Sequence, residues 1–292
     1  MMMLTSRIAI VSAQPGPQTE FLHTSADIAI YGGAAGGGKT FALLLEALRH
    51  VGRVRNFTAV VFRRTMPQIT NPGGLWDESV NLYRPAGGIP HLIAREWRWL
   101  RGGKIKFVHM QFDCTVYDWH GAQITLICFD ELTHFTKHQF FYMLSRNRST
   151  CGVRPYIRAT CNPDANSWIA DWVAWWIDPE TGLPIPERAG VLRYFVRVAE
   201  QIIWADRPED LLQYLPAAGG PAAGRRPAAA NQRHVHPGKS VRQPCSAAGQ
   251  PGIFRLAVVI AIARARAAVA RQLEDPAGGR ALFQARVVRH LR

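Results

Sequence analysis

Residues 28–40 read I-A-I-Y-G-G-A-A-G-G-G-K-T. The apolar run Ile28 to Tyr31 predicts a buried strand, the glycines end it, and residues 41–48 (F-A-L-L-L-E-A-L) are good helix formers. Gly33 to Thr40 fits G-x-x-x-x-G-K-[ST] in the strand–loop–helix setting that this phosphate-binding motif requires. In such a loop, backbone N–H groups from Gly33, Ala34, Ala35, Gly36, Gly37 and Gly38 curl around phosphate oxygens, aided by the positive end of the helix dipole. Lys39 would then reach the β- and γ-phosphates, and the Thr40 hydroxyl would ligate Mg²⁺. The competing explanation, a chance glycine-rich turn, does not account for the strand before it or the helix after it. ATP and Mg²⁺ are therefore the expected cofactors.

Working outward, residues 58–65 (T-A-V-V-F-R-R-T) predict a second strand with Arg63 and Arg64 at its end. A helix is expected over 78–83 and an alternating strand over 104–110. Residues 124–131 (I-T-L-I-C-F-D-E) form an apolar strand ending in two carboxylates, about ninety residues after the phosphate loop. That is the Walker B pattern: Asp130 would hold Mg²⁺ directly or through water, and Glu131 would orient and deprotonate the attacking water. Solvated carboxylates at a strand end are common, so this reading leans on the loop upstream. A further strand over 154–163 ends in Thr160 and Asn162, which would contact the γ-phosphate or the lytic water. Asn-Pro is also an ordinary turn starter. Gln18, twenty residues before the loop, sits where a glutamine reads the adenine edge in many ATPases, or is simply solvated. Strands separated by helical stretches predict a mostly parallel sheet with helices on both faces.

The chain has 292 residues, 48% of them apolar, with nine Trp and thirteen Phe, which suits a packed core and not a disordered protein. No stretch reaches the eighteen apolar residues a membrane span needs, and the start lacks a secretory pattern. Five cysteines with no C-x-x-C pair argue against zinc or a disulfide framework and for a reducing cytoplasm. The formal charge of +14 is unevenly spread: residues 217–292 hold thirteen Lys and Arg against two acids, the first 216 twenty-two against nineteen. Bulk charge thus says little about what the first part binds. Trp168 to Ile177 has helical spacing and is expected to pack in a core or interface, followed by a Pro-rich loop over 178–188. A hairpin (Val191 to Val198, Gln201 to Trp204) and a helix (Arg207 to Tyr214) would form a small lid. The expected organisation is a lead-in over 1–25, a phosphate-loop ATPase domain over 26–190, the hairpin over 191–215 and a basic tail over 216–292. All Trp and Tyr precede residue 215, and the tail is rich in Ala, Arg, Gly and Pro, as in an out-of-frame reading of a GC-rich gene. Disorder is expected there.

Several blocks together resemble the large terminase subunit of tailed bacteriophages: G-G-A-A-G-G-G-K-T at 32–40, V-F-R-R-T at 61–65, C-F-D-E-L-T-H-F at 128–135, L-S-R-N-R-S at 144–149, R-A-T-C-N-P-D at 158–164 and W-W-I-D-P-E-T-G-L-P-I-P-E-R at 175–188. The resemblance covers roughly residues 15–215. It implies a phosphate-loop ATPase of the additional-strand, catalytic-Glu class that drives packaging of double-stranded DNA into proheads. It makes Lys39, Thr40, Asp130 and Glu131 the nucleotide site and Thr160 to Asn162 the coupling motif, with Arg63 or Arg64 adding positive charge to the transition state. It further implies a portal ring, a small DNA-recognising subunit and a ring of copies as partners, without a membrane. The family carries a metal-dependent nuclease after the motor, and the acid-poor tail predicts that this half is missing here. A helicase-like ATPase, a basic DNA-coating protein with a dead loop and an inactive prophage fragment are the alternatives.

Overall fold

A computed structural model describes residues 12–33, 36–162, 164–198, 200–215, 252 and 254–260. The chain divides into two units, Met1–Arg193 with Arg255–Arg292, and Tyr194–Phe254. In the first unit, α1 (Pro17–His23) leads into β1 (Ile28–Gly32) and then α2 (Lys39–Val51). Next come β2 (Thr58–Arg63), α3 (Met66–Thr70), α4 (Leu75–Tyr83), β3 (Ile89–His91), β4 (Glu96–Arg98) and β5 (Lys104–His109). The strand β6 (Leu126–Phe129), α5 (Lys137–Leu144), β7 (Tyr156–Cys161) and α6 (Trp168–Trp172) follow.

These strands order as β3-β4-β5-β2-β6-β7-β1, with β5 through β1 parallel and the short β3 and β4 antiparallel at one edge. The expected parallel sheet is present, and β7 is the additional strand: it lies between the phosphate-loop strand β1 and the Asp-Glu strand β6. All of β1, β6 and β7 is buried, as a sheet covered on both faces demands. On one face Ala29, Tyr31, Val61, Phe107 and Cys128 pack with Leu43, Leu44 and Ala47 of α2 and Trp76 and Tyr83 of α4. On the other, Phe62 and Phe129 stack at 5.5 Å, and Phe129 meets Phe135 and Phe140. Trp168 and Trp172 pack against Phe140, so the tryptophan-rich stretch is core as expected; its helix is shorter, with a 3-10 turn at Ala174–Trp176 completing it.

One polar group crosses this core. Arg158 of β7 is almost fully buried, donates to the carbonyls of Ala26, Ile157 and Thr24, and lies 3.9 Å from Glu46 of α2. Burial pushes the Glu46 carboxyl up from its ordinary range, against the opposing pull of Arg158 and Arg49. Charge pairing thereby ties the helix that opens at the phosphate loop to the strand that carries Thr160.

In the second unit β8 (Leu192–Val198) and β9 (Gln201–Ala205) pair antiparallel from Tyr194 opposite Ala205 to Val198 opposite Gln201, which is the expected hairpin. The helix expected over Arg207 to Tyr214 is present as a 3-10 helix at Pro208–Tyr214, with Leu211 buried. With only Leu211 buried, little packing supports a longer α-helix there.

The strongest departure from expectation lies in the tail. Phe254–Ile260 is a strand, β10, running parallel to β1 with Ile28 opposite Leu256 and Gly32 opposite Ile260. Leu256, Ala257 and Val258 are buried, and Arg255 forks onto Asp27 at 3.1 and 3.2 Å. Disorder does not hold for these residues: F-R-L-A-V-V-I is an apolar, β-branched run that offers β1 a second neighbour. The rest of the tail, and with it the out-of-frame reading, lies outside the described residues.

Candidate nucleotide site

Every expected site residue but two is described; Ala34 and Ala35 lie outside the described residues. The loop's glycines have a steric reason. Gly33, Gly36 and Gly38 adopt φ of 155°, 82° and 67°, and a Cβ on Gly38 would stand 2.2 Å from the amide nitrogen of Gln18. Gln18, which opens α1 and is buried, donates to the Gly38 carbonyl at 3.1 Å and accepts from the Gln14 N–H at 2.9 Å. It is neither solvated nor in a loop: its amide braces the phosphate loop. The Tyr31 hydroxyl holds the same loop through the Gly37 carbonyl at 3.2 Å. That contact was missed in the sequence, where Tyr31 reads only as a strand residue.

At the carboxyl ends of β1, β6 and β7 the polar side chains converge. Lys39, 5% exposed, donates from Nζ to Asn162 Oδ1 at 3.0 Å. Burial lowers its pKa, and the charges of Glu131 and Asp130 act in the opposite direction. Asp130 is fully buried. Its Oδ1 accepts from the Thr160 hydroxyl at 2.7 Å and the Thr40 hydroxyl at 3.1 Å. The Thr160 oxygen in turn accepts the Glu131 N–H at 3.0 Å, so one hydroxyl fixes both carboxylate residues. Glu131 sits in the left-handed region at φ 62°, an uncommon and costly conformation for a side chain of this size. Its Oε2 is buried with no hydrogen-bond partner among the described residues. A buried carboxylate oxygen left open beside a phosphate-type loop is suited to receive a water.

The two arginines part company. Arg63 at the end of β2 places Nε 2.8 Å from Asp130 Oδ2, a charge contact without hydrogen-bond alignment. Arg64 turns away, donating to Gln139 Oε1 at 3.1 Å and towards the Met110 carbonyl. The oxygen donors Thr40 and Asp130 lie within 3.1 Å of each other with an open Glu131 oxygen nearby, a hard donor set that fits Mg²⁺. Among the described residues no group of three or more His, Cys, Asp or Glu gathers to hold a metal, so here the ion would rely on phosphate oxygens and water to complete its shell.

A cleft of about 560 Å³ opens near Gly32 and Cys161 against α6, but Asp164, Asp171, Asp178 and Glu180 line it. Against these four carboxylates the lining offers one cation, Arg188, which makes the cleft unfavourable for phosphate. At the amino ends of the strands the charge is reversed. Residues 53–106 hold ten Lys and Arg against three acids. Of these, Arg53, Arg55, Arg98, Arg101, Lys104 and Lys106 are exposed and neighbouring: Arg101 donates to the Arg53 carbonyl, and Arg98 pairs across from Lys104. The near-neutral sum of the first 216 residues thus conceals a basic end.

The sequence compares as follows with known proteins. No protein of curated function matches it. Solved structures that resemble it include the large terminase of a thermophilic bacteriophage, at 14% identity and a TM-score of 0.44 over 56% of this chain and 44% of that one. The HK97 bacteriophage large terminase gives 14% identity and a TM-score of 0.43 over 56% and 36%. The Phi-28 gp11 DNA packaging motor gives 15% and 0.40 over 65% and 58%. The chain spans less than half the length of the first two. The family model described as terminase large subunit, T4likevirus-type, N-terminal, matches residues 30–227, from the phosphate-loop strand through the hairpin. On that match, the chain belongs to the terminase large subunit family.

Proposed function

We propose that this chain is the ATP-hydrolysing motor module of a terminase large subunit, working on double-stranded DNA. One observation carries the reading: Lys39, Thr40, Asp130, Glu131, Thr160 and Asn162, drawn from three separate stretches, meet at one end of the sheet around the phosphate loop. Lys39 binds the β- and γ-phosphates, leaving Asn162 free to turn its amide to the γ-phosphate. Glu131 takes the proton of the attacking water through the carboxylate oxygen that has no partner among the described residues. Thr160 keeps Glu131 and Asp130 in register during that transfer. Thr40 and Asp130 would hold Mg²⁺, which when bound neutralises phosphate charge.

DNA as the partner is supported by the exposed basic end, whose cations suit the sequence-independent grip on phosphates that packaging needs. A portal ring, a small subunit and further copies of the chain belong to the same proposal through family membership. Among the described residues no helix is long and apolar enough to cross a membrane. The test is a titration with a fluorescent ATP analogue and Mg²⁺. Wild type should bind, and Lys39→Ala should bind at least about tenfold more weakly, the scale of a lost charge-assisted contact. Equal binding by both would remove the phosphate-loop assignment.

A further inference from the structure

The fully buried Asp130 has a protein cation beside it. Arg63 is mostly buried, and its Nε stands 2.8 Å from Oδ2, while the two hydroxyls of Thr40 and Thr160 occupy Oδ1. A carboxylate has about four lone-pair directions. Oδ1 is taken twice, and Oδ2, which the Thr40 hydroxyl reaches only at 3.4 Å, is the more open oxygen and the one beside Arg63. The guanidinium Nε is not aligned for a hydrogen bond and finds no other acceptor among the described residues, so charge and not direction holds it there. Arg64 cannot substitute, because Gln139 and the Met110 carbonyl engage it elsewhere.

We propose that Arg63 is a positioning residue: it serves as the counter-cation of Asp130 when no metal is bound and is displaced from Oδ2 when Mg²⁺ enters with nucleotide. The inference rests on the nucleotide reading above. A divalent ion between Thr40 and Asp130 and a guanidinium on the same carboxylate repel each other, so each weakens the other's hold on Asp130. When no ion is bound, Arg63 adds a cation in contact with a buried carboxylate that otherwise has two hydroxyl donors and the charge of Lys39. The consequence is a threshold: metal must compete with a protein cation already in place.

The experiment titrates Mg²⁺ against binding of a fluorescent ADP analogue in the full chain, for wild type, Arg63→Gln and Arg63→Lys. Removing the competing charge should lower the Mg²⁺ concentration for half-maximal binding about tenfold in Arg63→Gln. Arg63→Lys, which keeps the cation, should stay within about twofold of wild type. The melting midpoint of Arg63→Gln should fall by about 2–4 °C without nucleotide and recover at saturating Mg²⁺ and ADP. An unchanged or raised Mg²⁺ requirement in Arg63→Gln overturns the proposal, while loss of ADP binding in wild type at every Mg²⁺ concentration overturns the nucleotide reading itself. Should Arg63→Gln not fold, the arginine Nε–H resonances of the wild-type chain decide, with Arg63→Lys giving the assignment. The Arg63 signal should shift on adding Mg²⁺ with ADP and not on adding ADP with a chelator; a signal indifferent to Mg²⁺ overturns the proposal.

Discussion

The two ends of the parallel sheet solve opposite electrostatic problems. At the carboxyl ends, Asp130, Thr160 and Lys39 are buried, and each side chain answers to another: Thr160 to Asp130 and Glu131, Lys39 to Asn162, Arg63 to Asp130. At the amino ends, Arg53, Arg55, Arg101 and Lys104 stand in solvent. The first arrangement orients a few groups for chemistry on a small ligand. The second presents charge at the surface and suits a long polyanion that must slide. The difference teaches that a near-neutral balance over the first 216 residues is no guide to function, because the fold sorts the charges afterwards.

The largest expected effect concerns the wall of the nucleotide end. Val258 in β10 is buried beside β1, and Val258→Asp should cost at least about 3 kcal/mol in urea unfolding, the range for burying an unpaired charge. A variant as stable as wild type would return Phe254–Ile260 to the disordered tail that composition predicts. Next, the two ends should differ under one measurement. Thr160→Val keeps the shape but removes two buried hydrogen bonds, one of them to a carboxylate, and should cost about 2–3 kcal/mol. Arg101→Ala at the basic end should stay within about 0.5 kcal/mol. Similar costs at both would erase the contrast.

The basic end makes its own prediction. Replacing Arg98, Arg101 and Lys104 together by alanine should reduce the slope of log affinity for double-stranded DNA against log salt by about 2–3, as expected for losing three phosphate contacts. An unchanged slope would place the DNA grip elsewhere. The smallest effect is expected at Gln18. Gln18→Ala removes a brace on Gly38 and should weaken ATP and GTP binding alike, by less than about tenfold, the worth of one hydrogen bond. A selective loss of ATP binding would instead support Gln18 at the adenine edge.

What was legible follows from how far apart in sequence the partners lie. The phosphate loop and the Asp-Glu strand end are local patterns, each written within about ten residues, and both stand where expected. The Thr160–Asn162 strand end needed only the assumption of a parallel sheet. Arg63 against Asp130 needed more: β2 must neighbour β6, and nothing in V-F-R-R-T says which arginine faces the carboxylate. The basic end is assembled from the turn after α2 and the β4–β5 hairpin, so its cations are scattered until strand pairing gathers them. β3 and β4 are three residues each, too short for alternation to register. β10 was readable in principle, since F-R-L-A-V-V-I is an apolar run, but averaging composition over seventy-odd residues submerged it.

The central claim is that the buried end hydrolyses ATP with Glu131 as base, and it is tested most directly by measuring ATP binding and phosphate release on the same preparations of wild type and Glu131→Gln. The account predicts binding within about threefold of wild type and turnover slower by about a hundredfold, the usual scale for losing a general base. Undiminished phosphate release from Glu131→Gln, with ATP bound as before, would contradict it.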